Sequence, residues 1–227
     1  MSGRLRKMRR ITALLEGRYG DELGHSGERS PFKTLIGCVL SQRTRDVNAE
    51  KAAEALLMAA EGPEDVLRLG EDRLRRLIRC SGFYNQKARY IIGICEALIR
   101  EFDGRVPDER ERLLSLPGVG YKTADIVLSH AFDRPAIAVD VHVATVARRL
   151  GLVEGDAGPE EVKEALEALV PPEERRLVDS AFVRLGKEYC RTRAPRCLKC
   201  LLKPLCKYPR HRDHHSVSAV YGDIHIN

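Results

Sequence analysis

Between Ser30 and Cys190 the apolar residues recur three or four positions apart, and no segment alternates them as a half-buried strand would. No other feature limits the fold as strongly. Ser30-Pro31 supplies an N-cap and a first-turn proline ahead of "FKTLIGCVLSQ". "DVNAEKAAEALLMAA" follows, with Val47, Ala52, Ala55, Leu56 and Ala59 near helical spacing, and Gly62-Pro63 stops it. The short units "PEDVLRL" and "EDRLRRLIRC" precede a longer one, "NQKARYIIGICEALIREF". In it Ile91, Ile92, Cys95, Leu98 and Phe102 make one stripe. Further helices are expected at "YKTADIVLSHAF", "VHVATVARRLGL", "PEEVKEALEALV" and "EERRLVDSAFVRLGKEYC". About ten short helices with brief loops predict an all-α protein.

Composition agrees. Tryptophan is absent and aromatics make up 5%, which weighs against a β-sandwich. With 43% hydrophobic and 32% charged residues in 227, the chain can bury the core of one large domain or two small ones. Its net charge of +6 favours polyanionic partners without naming one. The basic start "MSGRLRKMRRITALLEGRYG" reads as an amphipathic helix rather than a secretory signal. No apolar run approaches the ~18 residues of a membrane span. These features predict an intracellular protein, cytoplasmic in a prokaryote, with reduced cysteines. Beyond Pro209 the helical periodicity fades into a histidine-bearing stretch, expected as a flexible tail over 210–227.

Of seven cysteines, Cys38, Cys80 and Cys95 lie on apolar faces and read as core residues. Cys190, Cys197, Cys200 and Cys206 form a C-x6-C-x2-C-x5-C cluster, which in a reducing compartment indicates a metal. A zinc ribbon shows two C-x2-C knuckles, and this cluster has one. A loop around a [4Fe-4S] cluster draws thiolates from several sides, which uneven spacing can supply. Spacing alone leaves both open. Arg191, Arg193 and Arg196 would project from such a loop as a basic finger suited to phosphate.

Leu116-Pro117-Gly118-Val119-Gly120 separates two helical segments by a tight turn. Amides at the start of the second helix lack intrahelical partners and make an anion site for DNA phosphate. This is a helix-hairpin-helix pattern. A nucleotide P-loop is excluded, because Tyr121 intervenes before Lys122 and a helix precedes the turn. Lys122 falls in the first turn of the new helix, at the positive end of its dipole, where an amine can serve as nucleophile. Asp140 follows the apolar "AIAV" and caps the next helix. If that helix start faces the hairpin, its carboxylate can activate Lys122 or stabilise positive charge at a sugar C1′.

Together, "LPGVGYKTAD", "AIAVDVHV" and the four-cysteine spacing resemble the endonuclease III family of helix-hairpin-helix DNA glycosylases over residues 5–209. "SPFKTLIGCVLSQRTRD" and "GFYNQKA" add support. The resemblance implies a two-domain α fold: a six-helix barrel over residues 25–137, and a [4Fe-4S] domain from 1–24 and 138–209. It implies a monomer acting on double-stranded DNA that contains damaged bases or abasic sites. Lys122 would expel an oxidised pyrimidine by attack at C1′, with Asp140 assisting, and β-elimination would follow. Cys190, Cys197, Cys200 and Cys206 would hold the cluster. The family's hairpin contacts fall on Leu116, Gly118, Val119, Gly120 and Thr123. One departure stands out. Arg43 occupies the place of the usual gap-filling glutamine, and Gln42 lies one position earlier. Arg43 could donate to an opposite guanine, while Phe83 would wedge from the other side. The alternatives are a mismatch glycosylase removing thymine or uracil opposite guanine, and a non-catalytic iron–sulfur DNA-binding protein.

Overall fold

The computed structural model of the protein describes residues 3–23 and 30–208. The expected tail over 210–227 lies outside them. Eleven α-helices run through the described residues: α1 (Gly3–Leu23), α2 (Pro31–Ser41), α3 (Asp46–Ala59), α4 (Pro63–Leu69), α5 (Glu71–Leu77) and α6 (Tyr84–Phe102). Then follow α7 (Arg110–Leu114), α8 (Tyr121–Ala131), α9 (Val141–Leu150), α10 (Pro159–Leu169) and α11 (Arg175–Glu188). No strand occurs among the described residues, and none of the helices is long and apolar enough to cross a membrane.

Local chemistry sets the boundaries. Ser30 Oγ accepts from the Lys33 amide at 3.4 Å, and Pro31 opens α2. The Glu161 carboxylate reaches back to the Gly158 amide at 2.6 Å, ahead of Pro159, and starts α10. Helix α6 ends where Asp103 turns left-handed and the Gly104 amide bonds to the Leu98 carbonyl at 2.9 Å.

Apolar side chains gather in two cores. The first draws on α2–α8, where Leu35, Ile36, Val39, Ile91, Ile94, Leu98, Val127 and their neighbours are buried. Helix α2 packs on α3, α6 and α8, while α4 and α5 cover α6. The second core joins Met8, Ile11, Leu15 and Tyr19 of α1 to Val143, Val146, Phe182 and Leu185 of α9 and α11. The N-terminal helix therefore packs with the C-terminal ones. Chain passes from one core to the other between Ala136 and Ile137.

Charged contacts join the cores. Arg110 on α7 donates to both carboxylate oxygens of buried Asp125 on α8, at 3.0 and 3.2 Å, and to Glu160 on α10 at 3.0 and 2.9 Å. Lys163 on α10 approaches Asp125 at 3.4 Å. On another side Lys187 of α11 pairs with Asp46 of α3 at 2.8 Å.

Two expectations about burial need correction. Val47 is exposed, and the buried stripe of α3 is Ala49, Ala52 and Leu56; the helix presents a face one step round from the one its β-branched residue marks. Cys80 is exposed too, its thiol reaching the Asn48 carbonyl at 3.5 Å. It follows the end of α5, where the helical period no longer governs direction.

Candidate active site

The hairpin between α7 and α8 closes through a 3.1 Å bond from the Val119 amide to the Leu116 carbonyl. Gly118 has φ of 72°, and a Cβ there would lie 2.4 Å from the Tyr90 ring, so only glycine fits. Leu116, Val119 and Thr123 have buried side chains. What the hairpin offers outward is backbone: Gly118, Gly120 and the first amides of α8, which have no intrahelical acceptors. Such a helix start binds phosphate.

Lys122 is the second residue of α8, its side chain about half exposed, and its Nζ stands 3.6 Å from Asp140 Oδ2. Asp140 Oδ1 accepts the amides of His142 and Val143 at 2.8 and 2.9 Å. The cap fixes the carboxylate through one oxygen and leaves the other directed at the amine. A cap and a chemical role coexist in one residue because its two oxygens are used separately.

Lys122 borders two clefts. The larger, about 1130 Å³, opens between the cores and is lined by Lys33, Asp46, Lys122, Asp140, His142 and Asp179, among others. The smaller, about 570 Å³, is lined by Gln42, Arg43, Phe83, Lys87, Tyr90, Lys122 and Thr123, among others. Gln42 Nε2 donates to the Gly118 carbonyl at 2.9 Å, so it braces the hairpin. Arg43 and Phe83 are exposed, and the Arg43 guanidinium sits 5.9 Å from the Phe83 ring centre. Of the adjacent Gln42 and Arg43, the arginine is the one with an exposed side chain.

Asp179 on α11 was not singled out by sequence. It is 3% exposed, and its Oδ1 has no hydrogen-bond partner among the described residues. Burial pushes its carboxyl up to about 8; a bond with the Ala138 backbone opposes this, and the charge of Asp140 adds to it. Lys87, equally buried, was hidden in a helical stripe, and the signal was its spacing of four from Ile91. Arg110, which stacks 4.8 Å from the Tyr121 ring, carried no local signal.

Cys190, Cys197, Cys200 and Cys206 are free, half-buried thiols, and Cys190, Cys200 and Cys206 pack against the second core. Burial raises Cys190 and Cys200; the Arg149 contact opposes this for Cys190, while the charges of Cys206 and Cys197 add to it, and those of Cys190, Cys206 and Cys197 add to the shift of Cys200. Among the described residues no three metal-binding side chains converge as they would around a single ion. Arg149, near the end of α9, threads the loop. Its guanidinium donates to the Cys190, Arg191 and Thr192 carbonyls at 3.1, 2.9 and 3.3 Å and lies 3.4 Å from Cys190 Sγ. Four soft thiol donors within one short loop fit the chemistry of a thiolate-held group. Arg191, Arg193 and Arg196 are all exposed.

The all-helical, two-core fold with its helix-hairpin-helix turn places the chain among the base excision DNA glycosylases. Residues 36–172 match the HhH-GPD superfamily of base excision DNA repair proteins, and the chain belongs to the endonuclease III family within it. Endonuclease III of Thermotoga maritima is 44% identical over 185 residues, covering 82% of this chain and 86% of that protein. The structure of a trapped endonuclease III–DNA covalent intermediate superposes with a TM-score of 0.83 at 35% identity, covering 91% of this chain and 97% of that one. A thermostable thymine-DNA glycosylase superposes with a TM-score of 0.81 at 26% identity, covering 89% of this chain and 96% of that one.

Proposed function

We propose that the protein is a bifunctional DNA glycosylase and abasic-site lyase that removes oxidised pyrimidines from duplex DNA, acting as a monomer. The observation that carries this reading is the 3.6 Å approach of Lys122 Nζ to Asp140 Oδ2 at the rim of the cleft between the cores. In this reading a barrel over residues 25–137 would carry the hairpin, and a cluster domain from residues 1–24 and 138–209 would carry Asp140 and the cysteine loop.

Hairpin amides and the exposed Arg191, Arg193 and Arg196 hold phosphates on either side of the lesion. Arg43 and Phe83 occupy the space that the extruded nucleotide leaves. Unstacking costs a few kcal/mol, least for a damaged base, and the larger cleft receives the flipped nucleotide. Asp140 Oδ2 takes a proton from Lys122, and the neutral Nζ attacks C1′. The N-glycosidic bond breaks, its electron pair leaving with the base, which takes up the proton held by Asp140. Asp140 then carries one Nζ proton to the ring oxygen O4′, and ring opening yields a protonated Schiff base between Nζ and C1′. Transfer of a C2′ proton to the Asp140 carboxylate expels the 3′ phosphate by β-elimination, and water then hydrolyses the imine to free Lys122. Cys190, Cys197, Cys200 and Cys206 would hold the [4Fe-4S] cluster, which when bound cross-links the loop that presents the three arginines.

A second reading, excision of thymine or uracil opposite guanine, is favoured by the likeness to the thymine-DNA glycosylase and by Arg43 in the gap-filling place. Duplexes carrying thymine glycol, uracil or thymine opposite guanine separate the two. Faster single-turnover excision of thymine glycol supports the first, and faster excision from the mismatches replaces it with the second.

A further inference from the structure

The two outward prongs of the smaller cleft are held in costly backbone conformations. Arg43 and Phe83 have φ of 50° and 57°, in the left-handed region that non-glycine residues avoid. Such a conformation is costly for a residue with a side chain and persists only where its surroundings impose it. Both lie on turns, Arg43 between α2 and α3 and Phe83 just before α6.

A buried ammonium bridges the two turns. Lys87 Nζ donates to the Leu40 carbonyl at 2.6 Å, to Thr44 Oγ1 at 2.7 Å and to Ser81 Oγ at 2.8 Å. Three donors meet three acceptors. Thr44 directly follows Arg43, and its Oγ1 also accepts the Gly82 amide, one residue before Phe83, at 3.0 Å. A Cβ on Gly82 would lie 3.1 Å from the Arg43 carbonyl, so the two turns touch at backbone distance. Burial lowers the Lys87 ammonium to about 8, a cost that an apolar side chain of similar length would avoid.

We propose that Lys87 is a positioning residue that ties the Arg43 turn to the Phe83 turn, so that both side chains meet the duplex as one preformed wedge. This rests on the reading that Arg43 and Phe83 enter the gap left by a flipped nucleotide. Preorganisation removes the need to order two loops while the base is being extruded.

The test compares excision of thymine glycol from a duplex with β-elimination at an abasic site in single-stranded DNA, which needs no extrusion. Lys87→Met is expected to slow the duplex reaction by at least about tenfold, the scale of a small misplacement at a reacting site, while single-strand cleavage stays within about twofold of wild type. In an Arg43→Ala/Phe83→Ala background, Lys87→Met is expected to add no further loss. Equal slowing of both reactions, or the same loss in both backgrounds, overturns the proposal and makes Lys87 structural only. Wild-type excision by Arg43→Ala/Phe83→Ala instead removes the wedge reading itself. Should Lys87→Met not fold, Thr44→Val cuts the same tie with nearly unchanged shape, and the same two comparisons decide.

Discussion

Asp140 serves the start of α9 with one carboxylate oxygen and Lys122 with the other. Oδ1 holds two backbone amides at 2.8 and 2.9 Å, and Oδ2 stands 3.6 Å from the lysine Nζ. Structural and chemical demands on the residue can therefore be separated by substitution.

Asp140→Asn keeps an acceptor for the cap and is expected to melt within a degree or two of wild type. Asp140→Ala loses about 1 kcal/mol of capping, or roughly 2–4 °C in a chain of this size. Both are expected to lose about 10²–10⁴-fold in base excision, the usual contribution of a positioned acid–base group. Thermal melts and single-turnover excision measured on both variants check this, and full activity in Asp140→Asn would leave the carboxylate as a cap only.

Asp179 makes stability depend on pH. Its folded-state ionisation is raised to about 8, above the ordinary carboxylate range of the unfolded chain. Between roughly pH 4 and 8 the folded protein thus holds a proton that the unfolded one releases, and its contribution to stability falls as pH rises through that window. Asp179→Asn is expected to raise the melting temperature more at pH 8 than at pH 5, by on the order of several degrees. A gain independent of pH would mean that the carboxyl ionises normally.

The tie between the cores centres on Arg110 and Asp125. Arg110→Met leaves a buried carboxylate with Lys163 as its remaining partner at 3.4 Å. Removing one member of a buried pair costs about 3–5 kcal/mol, and denaturant unfolding is expected to show a loss near the lower end. Loss of less than about 1 kcal/mol would place this contact with ordinary surface pairs.

Arg149 is expected to govern how well the cysteine loop keeps its metal. Arg149→Met removes the donor shared by three loop carbonyls and should hasten iron loss to a chelator. Iron analysis and colour of anaerobically purified protein check both claims, and zinc in place of iron would overturn the cluster assignment.

Affinity for abasic-site DNA is expected to fall steeply with salt. Each phosphate contact contributes about 0.9 to the logarithmic slope, so neutralising Arg191, Arg193 or Arg196 should each reduce the slope by about 1. An unchanged slope in all three variants would remove the basic finger from the interface.

The helices were legible because their apolar spacing and caps are local properties: Ser30-Pro31 opens α2 and Asp140 caps α9 as the residues require. The hairpin was legible for the same reason, since Gly118 must adopt a positive φ beside Tyr90. Three of its expected contact residues, Leu116, Val119 and Thr123, turn their side chains into the core, a matter of packing that motif spacing does not encode. The meeting of Lys122 and Asp140 was not legible from spacing. It depends on how two separate cores dock through Arg110, Asp125, Glu160 and Lys163, residues far apart in the chain. Lys87 was hidden because a lysine within a helix reads as solvated until its three acceptors are placed around it.

Catalysis by Lys122 passes through one covalent bond. Borohydride reduction during reaction with a thymine glycol duplex, followed by proteolysis and mass spectrometry, locates that bond directly. A reduced sugar adduct is expected on the peptide containing Lys122, and none with Lys122→Gln. An adduct on another lysine, or the absence of any adduct while the base is still excised, would contradict that role of Lys122.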